Sequence, residues 1–104
     1  MCAIAGLLKL ELNKTVVERM ISTMVRRGPD DTGIFAQPEI CMLHTRLAIV
    51  DPEHGAQPME LCWEGETYII SYNGELYNTD ELRIDLEKNG HVFYTRTDTE
   101  VILH

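Results

Sequence analysis

Short apolar runs, each closed by turn-forming or charged residues, recur along the chain and limit what it can fold into. Runs of three to seven residues have the length of β-strands rather than of helices. Strands are predicted at Cys2–Leu8, Gly33–Ala36, Ile40–His44, Leu47–Val50, Leu61–Trp63, Thr67–Tyr72 and Val92–Tyr94. The first run is apolar throughout and is expected to be a buried strand. The sequence Glu64-Gly65-Glu66 is expected to turn a β-hairpin.

Helical periodicity appears in two places. Thr15–Glu18 has the pattern of a capping box, and the Gly28-Pro29 pair is a stop signal, so a helix is predicted over about residues 15–27. Its apolar face is formed by Val17, Met20, Ile21 and Met24. A second helix is predicted from about Thr79 to Asn89, with Leu82 and Leu86 facing inward and Gly90 as its stop.

A third helix is predicted to begin at Thr97-Asp-Thr-Glu100, and the sequence ends one turn later at His104. A single turn of helix has no stability of its own, because nucleation costs more than one turn returns. The native chain is therefore expected to continue beyond His104. The mixture of helices and strands predicts the α+β class.

Composition and charge exclude several classes of function. The 104 residues allow one domain, and the net charge of -8 argues against nucleic acid binding, which needs clustered basic residues. The sequence has neither an apolar run long enough to cross a membrane nor a secretion signal, so a cytoplasmic protein without a membrane partner is expected. Three cysteines without short spacings predict free thiols, with neither disulfides nor a metal site.

Four features of the sequence could take part in catalysis or binding, although each also has an ordinary structural interpretation. Cys2 acquires both a thiol and a free α-amine if Met1 is removed, and that amine can act as its general base; a small buried side chain is the common alternative. The Asn73-Gly74 pair is usually a turn, but an amide and a glycine N–H can also form an oxyanion hole. Arg46 could clamp a carboxylate or be a surface charge. Asp98 could hold an ammonium or cap a helix.

Together these features describe a site for an amino acid with a reactive carbonyl in its side chain. Arg46 and Asp98 could grip the two charged ends, while the Asn73-Gly74 pair stabilises a tetrahedral intermediate formed by attack of Cys2. The chain also resembles class II glutamine amidotransferases, and most closely their asparagine synthetase branch. The resemblance lies in six motifs that follow one another in order: Met1-Cys-Ala-Ile-Ala-Gly6, Arg27-Gly-Pro-Asp-Asp-Thr-Gly33, His44-Thr-Arg-Leu-Ala-Ile-Val-Asp51, Gly55-Ala-Gln-Pro58, Tyr72-Asn-Gly-Glu-Leu-Tyr-Asn78 and Thr97-Asp-Thr-Glu-Val101.

The resemblance implies part of an N-terminal nucleophile fold, a four-layer αββα sandwich of antiparallel sheets. It implies that Cys2 attacks the glutamine side-chain amide and forms a γ-glutamyl thioester that water hydrolyses. It assigns Asn73 and Gly74 to the oxyanion hole, Arg46 to the α-carboxylate and Asp98 to the α-ammonium. The expected pocket lining is Leu47, Ile49, Val50 and Glu75.

For the complete enzyme, the resemblance implies a C-terminal synthetase domain that receives the ammonia and uses ATP and Mg²⁺ to activate aspartate. Residues 1–104 would form part of a glutaminase domain that needs no cofactor, in an enzyme that can form a homodimer. Two departures stand out: Ala3 replaces a frequent glycine, and the rest of the glutaminase domain and the whole synthetase domain are absent from these residues. No ATP-pyrophosphatase loop of the Ser-Gly-Gly type occurs.

Several alternatives remain open from the sequence. Another class II transferase or a separate glutaminase-like hydrolase would share these motifs and differ after His104. A papain-like protease would need its cysteine within a helix, whereas Cys2 precedes every predicted helix. A binding or regulatory module with its chemistry lost, or a truncated product that does not fold, is the non-enzymatic alternative.

Overall fold

The computed structural model describes residues 1–8 and 11–104. Five strands and three helices lie in this described part of the chain. In order they are β1 (Ala3–Leu8), α1 (Lys14–Met24), β2 (Asp31–Gln37), β3 (Ile40–Arg46), β4 (Met59–Trp63), β5 (Glu66–Ile70), α2 (Thr79–Lys88) and α3 (Asp98–Leu103). The fold is α+β with antiparallel sheets, as predicted.

The strands form two antiparallel sheets. One has the order β1-β3-β2, and the other is the β4–β5 hairpin. The predicted hairpin is confirmed: Glu64 and Gly65 have φ angles of 49° and 84°, and Trp63 pairs with Glu66 across the turn. Two successive positive φ angles are what a two-residue turn of type I′ requires, and its twist matches that of the strands it joins.

The core lies where α1 covers one face of the first sheet. Its buried members are Val17 and Met24 from the helix and Cys41 and Leu43 from β3. Around them pack Ala3, Ala5, Leu7, Met20 and Ile21. The predicted apolar face of α1 is therefore confirmed. Because α1 occupies this face of β3, the alternate side chains of the same strand point away from the core and are available for a site.

The ends of α1 differ from the prediction. The N-cap is Asn13, whose side chain accepts a hydrogen bond from the backbone N–H of Thr15 at 2.9 Å, so the expected capping box at Thr15–Glu18 is wrong. The helix starts one residue earlier than predicted and ends at Met24 rather than near residue 27. Asparagine is at least as good an N-cap as threonine. Because Asn13 lies before Thr15 in the sequence, the helix begins at Lys14.

Strand β1 is present as predicted but is not buried on both faces. Its exposure alternates along the strand, with Ile4 50% and Leu8 68% exposed. The reason is that α1 covers only the face that carries Ala3, Ala5 and Leu7. A strand that is apolar on both faces is therefore not always covered by other elements on both of them.

Two predicted strands are wrong. Leu47–Val50 forms a loop because β3 continues to Arg46 and the backbone beyond it bonds to side chains instead of to a strand. The N–H of Ala48, for example, donates to Asp30 Oδ2 at 2.8 Å. Val92–Tyr94 is also irregular, since the Tyr94 N–H donates to the Glu100 carboxylate at 2.8 Å.

Helix α2 agrees with its predicted range to within one residue, and Gly90, with a φ of 93°, ends it. The predicted inward face is only half correct, because Leu86 is partly buried while Leu82 is 36% exposed. Arg83 faces inward as well and donates to the carbonyls of Thr95 and Thr97 at 3.1 and 3.0 Å. In the described ranges, none of the helices has the length and apolar character needed to cross a membrane.

Candidate active site

One cavity of about 610 Å³ opens between the first sheet, the segment after β5 and the start of α3. This volume is typical of a small-molecule site. Every site residue predicted from the sequence lines it, although the residues come from distant parts of the chain. They are Cys2, Arg46, Leu47, Ile49, Val50, Asn73, Gly74, Glu75 and Asp98.

Cys2 lies directly before β1 and reaches the cavity. Its Sγ accepts a hydrogen bond from the Leu47 N–H at 3.4 Å and lies 3.8 Å from the Leu47 carbonyl oxygen. The β1–β3 register causes this contact. Ala3 pairs with Thr45 in antiparallel fashion, which places Cys2 beside the residues that follow Thr45. The methyl group of Ala3 packs against the core instead of lining the cavity. Alanine at position 3 therefore does not crowd the thiol.

The Asn73-Gly74 pair lies beside the same residue. The Asn73 side-chain amide donates to the Cys2 carbonyl oxygen at 3.0 Å, which leaves its second N–H free to donate elsewhere. A Cβ atom at Gly74 would lie 2.6 Å from the hydroxyl oxygen of Tyr72, so a larger residue would collide with that ring. The two donors thus meet the thiol-bearing residue at one wall of the cavity.

Arg46 is buried, with 6% of its surface exposed, and it is the last residue of β3 rather than the residue before a strand at Leu47–Val50. Its guanidinium donates to the carbonyl oxygens of Val50, Asp51 and Pro52 at 2.8, 2.9 and 3.1 Å. These bonds hold the loop after β3 around the cation. Arginine has five N–H groups, so these three bonds leave two of them unused.

Asp98 lies in the first turn of α3 but does not cap it. The N-cap is Thr97, whose side-chain oxygen accepts from the Glu100 N–H at 3.3 Å. Asp98 Oδ2 instead accepts from the Leu76 N–H at 2.9 Å, so the carboxylate joins α3 to the segment that carries Asn73 and Gly74. Its ordinary role as a helix cap is therefore excluded.

A second carboxylate, that of Asp51, connects the loop after β3 to the residues that precede α3. Asp51 Oδ2 accepts from the Arg96 N–H at 2.9 Å, and Asp51 Oδ1 lies 2.9 Å from His54 Nδ1. These two contacts lower the pKa of Asp51, that with Arg96 more than that with His54. Gly55 then packs so closely on Arg46 that a Cβ atom would lie 2.3 Å from Nη2. The loop is thus fixed on both sides of the cation.

The structure also places residues in the cavity wall to which the sequence assigned no role. Chief among them are Gln57 and Tyr72. Burial raises the pKa of Tyr72, and the charges of Asp98 and Glu75 raise it further, so the phenol stays protonated at neutral pH. Both residues belong to motifs on which the family resemblance rests, and that membership was the available signal.

His44 is another such residue, behind the cavity wall. It is 1% exposed, and its Nδ1 lies 2.9 Å from Ser71 Oγ, two residues before Asn73. Burial lowers the pKa of His44, and the neighbouring charge of Arg46 lowers it further. The ring is therefore neutral at pH 7 and connects β3 to the segment that carries the two donors.

This burial predicts a pH dependence of stability. Because the pKa of His44 is lower in the folded state than the usual value of about 6.5, the unfolded chain binds more protons below that pH. His44 thus contributes fully above about pH 6.5, and its contribution is lost as the pH falls through the folded-state pKa. His104 acts in the same direction, since burial lowers its pKa too. We expect the thermal unfolding temperature to fall between pH 7.5 and pH 5.5. This temperature should change less with pH in His44→Gln than in the wild type. An equal pH dependence in the two proteins would contradict the role of His44.

The three cysteines, Cys2, Cys41 and Cys62, are free thiols. Cys41 is 1% exposed and burial raises its pKa, which keeps it protonated and unreactive. Within residues 1–8 and 11–104, no group of three or more His, Cys, Asp or Glu side chains is arranged to hold a metal ion.

A thiol, the hydrogen-bond donors of the Asn73-Gly74 pair, a buried cation and a carboxylate thus lie around one cavity. The chain belongs to the family described as the glutamine amidotransferase domain, whose model matches residues 1–104. Glutamine-hydrolysing asparagine synthetases are among the curated proteins that it resembles. The chain is 45% identical to asparagine synthetase 3 of Bacillus subtilis over 108 aligned residues, which cover 100% of the chain and 18% of the relative.

Other relatives give the same picture. Asparagine synthetase 1 of Bacillus subtilis is 46% identical over 85% of the chain, which corresponds to 14% of the relative. A probable asparagine synthetase of Dictyostelium discoideum is 43% identical over 100% of the chain and 19% of its own length. The chain thus spans less than a fifth of the length of the relatives it matches.

Proposed function

We propose that this chain hydrolyses the side-chain amide of glutamine with Cys2 as the nucleophile, and that it supplies the ammonia for asparagine synthesis. The single observation that carries the proposal is the convergence of Cys2, the Asn73-Gly74 pair, Arg46 and Asp98 on one cavity. Names of the relatives support it, because each is a glutamine-hydrolysing asparagine synthetase.

The nucleophile requires removal of Met1, which is 71% exposed and so accessible to a peptidase. The α-amine of Cys2 then takes the thiol proton, and the thiolate adds to the amide carbon. The proton passes to the amide nitrogen, the C–N bond breaks and ammonia leaves a γ-glutamyl thioester. Water, deprotonated by the same amine, adds to the thioester; the C–S bond breaks, which gives glutamate and regenerates the thiol.

Charge that develops on the amide oxygen needs donors that are already in place. Asn73 has one side-chain N–H left after its bond to the Cys2 carbonyl, and Gly74 offers its backbone N–H. Both donors are neutral, so they stabilise the oxyanion without changing the protonation of Cys2. We assign this pair to the oxyanion hole.

Recognition of free glutamine is assigned to two charges. Arg46 takes the α-carboxylate through the N–H groups that the loop carbonyls leave unused, and Asp98 takes the α-ammonium. Because the two charges have opposite sign and belong to different elements, they orient the amino acid along the cavity. The remaining lining is assigned to Leu47, Ile49, Val50 and Glu75.

Other parts of the proposal concern the longer protein to which such a domain belongs. We infer that the described sheets are part of a four-layer αββα sandwich of the N-terminal nucleophile type. A C-terminal synthetase domain would receive the ammonia, and ATP and Mg²⁺ would bind there and not to this domain. A homodimer and a cytoplasmic location are also proposed, the latter because the three thiols are free.

The direct test is hydrolysis of L-glutamine by the natural full-length polypeptide that contains these residues. We expect glutamate and ammonia in equal amounts. Glutaramate, which keeps the amide and carboxylate but lacks the α-ammonium, should be a poor substrate because Asp98 has nothing to bind. Equal rates with both compounds, or release of ammonia without glutamate, would contradict the proposed function.

Substitution of Asp98 by asparagine tests the ammonium site. Asparagine keeps an acceptor for the Leu76 N–H but loses the charge, so KM for glutamine should rise about 10-fold to 100-fold, the range expected for a lost hydrogen bond to a charged group. The matched control is Asp80→Asn, an exposed aspartate in the first turn of α2, which should leave KM unaltered. An unchanged KM in Asp98→Asn would reject the assigned role.

A further inference from the structure

Gln57 is a buried amide whose two ends are both occupied. It lies between β3 and β4, and 8% of its surface is exposed. Its Oε1 accepts from the Tyr72 N–H at 2.6 Å, and its Nε2 donates to Thr99 Oγ1 at 3.1 Å. A single side chain therefore joins two elements that are distant in the sequence.

The two partners of Gln57 are neighbours of groups assigned above. Tyr72 directly precedes Asn73, the proposed oxyanion donor, and Thr99 directly follows Asp98, the proposed ammonium ligand. The Gln57 amide is thus one residue away from both halves of the site. Breaking either bond would leave a buried polar group unpaired, which is unfavourable, so the two bonds maintain this geometry.

Other contacts hold the two ends of the segment from Ser71 to Leu76, which carries Asn73 and Gly74. Ser71 is bonded to His44 at 2.9 Å, and the Leu76 N–H is bonded to Asp98 at 2.9 Å. Gln57 holds the backbone between them, at the residue that leads into the Asn-Gly pair. A displacement there moves the oxyanion donors directly, whereas the ends of the segment remain held.

We propose that Gln57 is a positioning residue that sets the place of Asn73 and Gly74 relative to Asp98. The inference rests on the proposed function, since it deepens the roles assigned to those three residues. Gln57 itself need not touch glutamine, because both ends of its amide are engaged by the protein. Its contribution should therefore appear in the chemical step.

The test compares Gln57→Met with wild type in the natural full-length polypeptide. Methionine has a similar length but cannot make either hydrogen bond. Because the oxyanion contacts strengthen only in the transition state, kcat should fall about 10-fold to 100-fold, the loss expected from a misplacement near 1 Å, while KM changes less than about threefold. The matched control is Gln37→Met, at the exposed end of β2, which should keep the wild-type kcat.

Loss of folded protein must be separated from loss of chemistry. Each preparation is therefore titrated with a glutamine analogue that carries a diazoketone, and kcat is expressed per labelled site. Thr99→Val supplies a second variant, in which only the acceptor for Nε2 is removed. We expect a smaller fall in its kcat, and Thr99→Ser, which restores the acceptor, should recover most of it.

The possible results separate this inference from the proposed function. An active wild type whose kcat per labelled site is unaltered in Gln57→Met and in Thr99→Val would overturn the positioning role alone. A rise in KM without a fall in kcat would overturn it as well, because it would place Gln57 in substrate binding. A wild-type polypeptide that neither hydrolyses glutamine nor reacts with the analogue would overturn the proposed function and this inference together.

Discussion

Cys2→Ala is expected to abolish glutamine hydrolysis, with a fall in kcat of at least about 10³-fold, because Cys2 carries the one thiol among the described residues that line the cavity. Loss of a covalent nucleophile removes the reaction path itself rather than one contact. Binding of glutamine should persist, since Arg46 and Asp98 remain in place. Release of glutamate from L-glutamine, measured in the natural full-length polypeptide, is the readout.

A matched cysteine makes this result interpretable. Cys62 is exposed, and its Sγ lies 3.4 Å from Thr67 Oγ1 in the β4–β5 hairpin rather than in the cavity. Cys62→Ala should therefore keep the wild-type rate. If the longer protein makes asparagine, Cys2→Ala should still do so when ammonia is supplied directly. Residual glutamine hydrolysis near the wild-type rate in Cys2→Ala would exclude the thiol as nucleophile.

Asn73→Ala is expected to have the second largest effect. It removes a donor to the developing oxyanion and also the 3.0 Å bond to the Cys2 carbonyl. Removal of one oxyanion donor typically lowers kcat about 10²-fold to 10³-fold, and KM should change little because the donor acts mainly in the transition state. Steady-state kinetics with L-glutamine separates the two parameters.

Asn78 provides the control for this substitution. It is an exposed asparagine at the N-cap of α2 whose side chain makes no capping hydrogen bond. Asn78→Ala should consequently leave kcat within about twofold of wild type, since it removes no bond. A similar loss in both variants would show that the effect of Asn73→Ala is on folding and not on the oxyanion.

Local patterns in the sequence predicted those parts of the fold that depend on local physics. The face of α1 that holds Val17 and Met24 follows from helical spacing, and the Glu64-Gly65 turn follows from the glycine, which adopts positive φ without a steric cost. The prediction of a strand at Leu47–Val50 was wrong because apolar side chains do not reveal which groups the backbone will hydrogen-bond to. In the folded chain, the thiol of Cys2 and the carboxylate of Asp30 bind that backbone.

The site itself was predicted as a set of residues, not as a geometry. Motif resemblance named nine of the residues that line the cavity, yet it could not show that the Arg46 guanidinium also binds three loop carbonyls. Nor could it show that Asp98 accepts from Leu76 instead of capping α3. Such contacts depend on tertiary register, and a polar side chain such as Gln57 carries no sequence signal for the partner it will choose.

The most direct measurement is covalent labelling of the natural full-length polypeptide with a glutamine analogue that carries a diazoketone, followed by mass spectrometry of the peptides. The expected result is one adduct on the sulfur of Cys2, in a chain that has lost Met1, with Cys41 and Cys62 unmodified. An adduct on Cys41 or Cys62 but not on Cys2, or full hydrolytic activity in protein that retains Met1, would contradict catalysis by an N-terminal thiol.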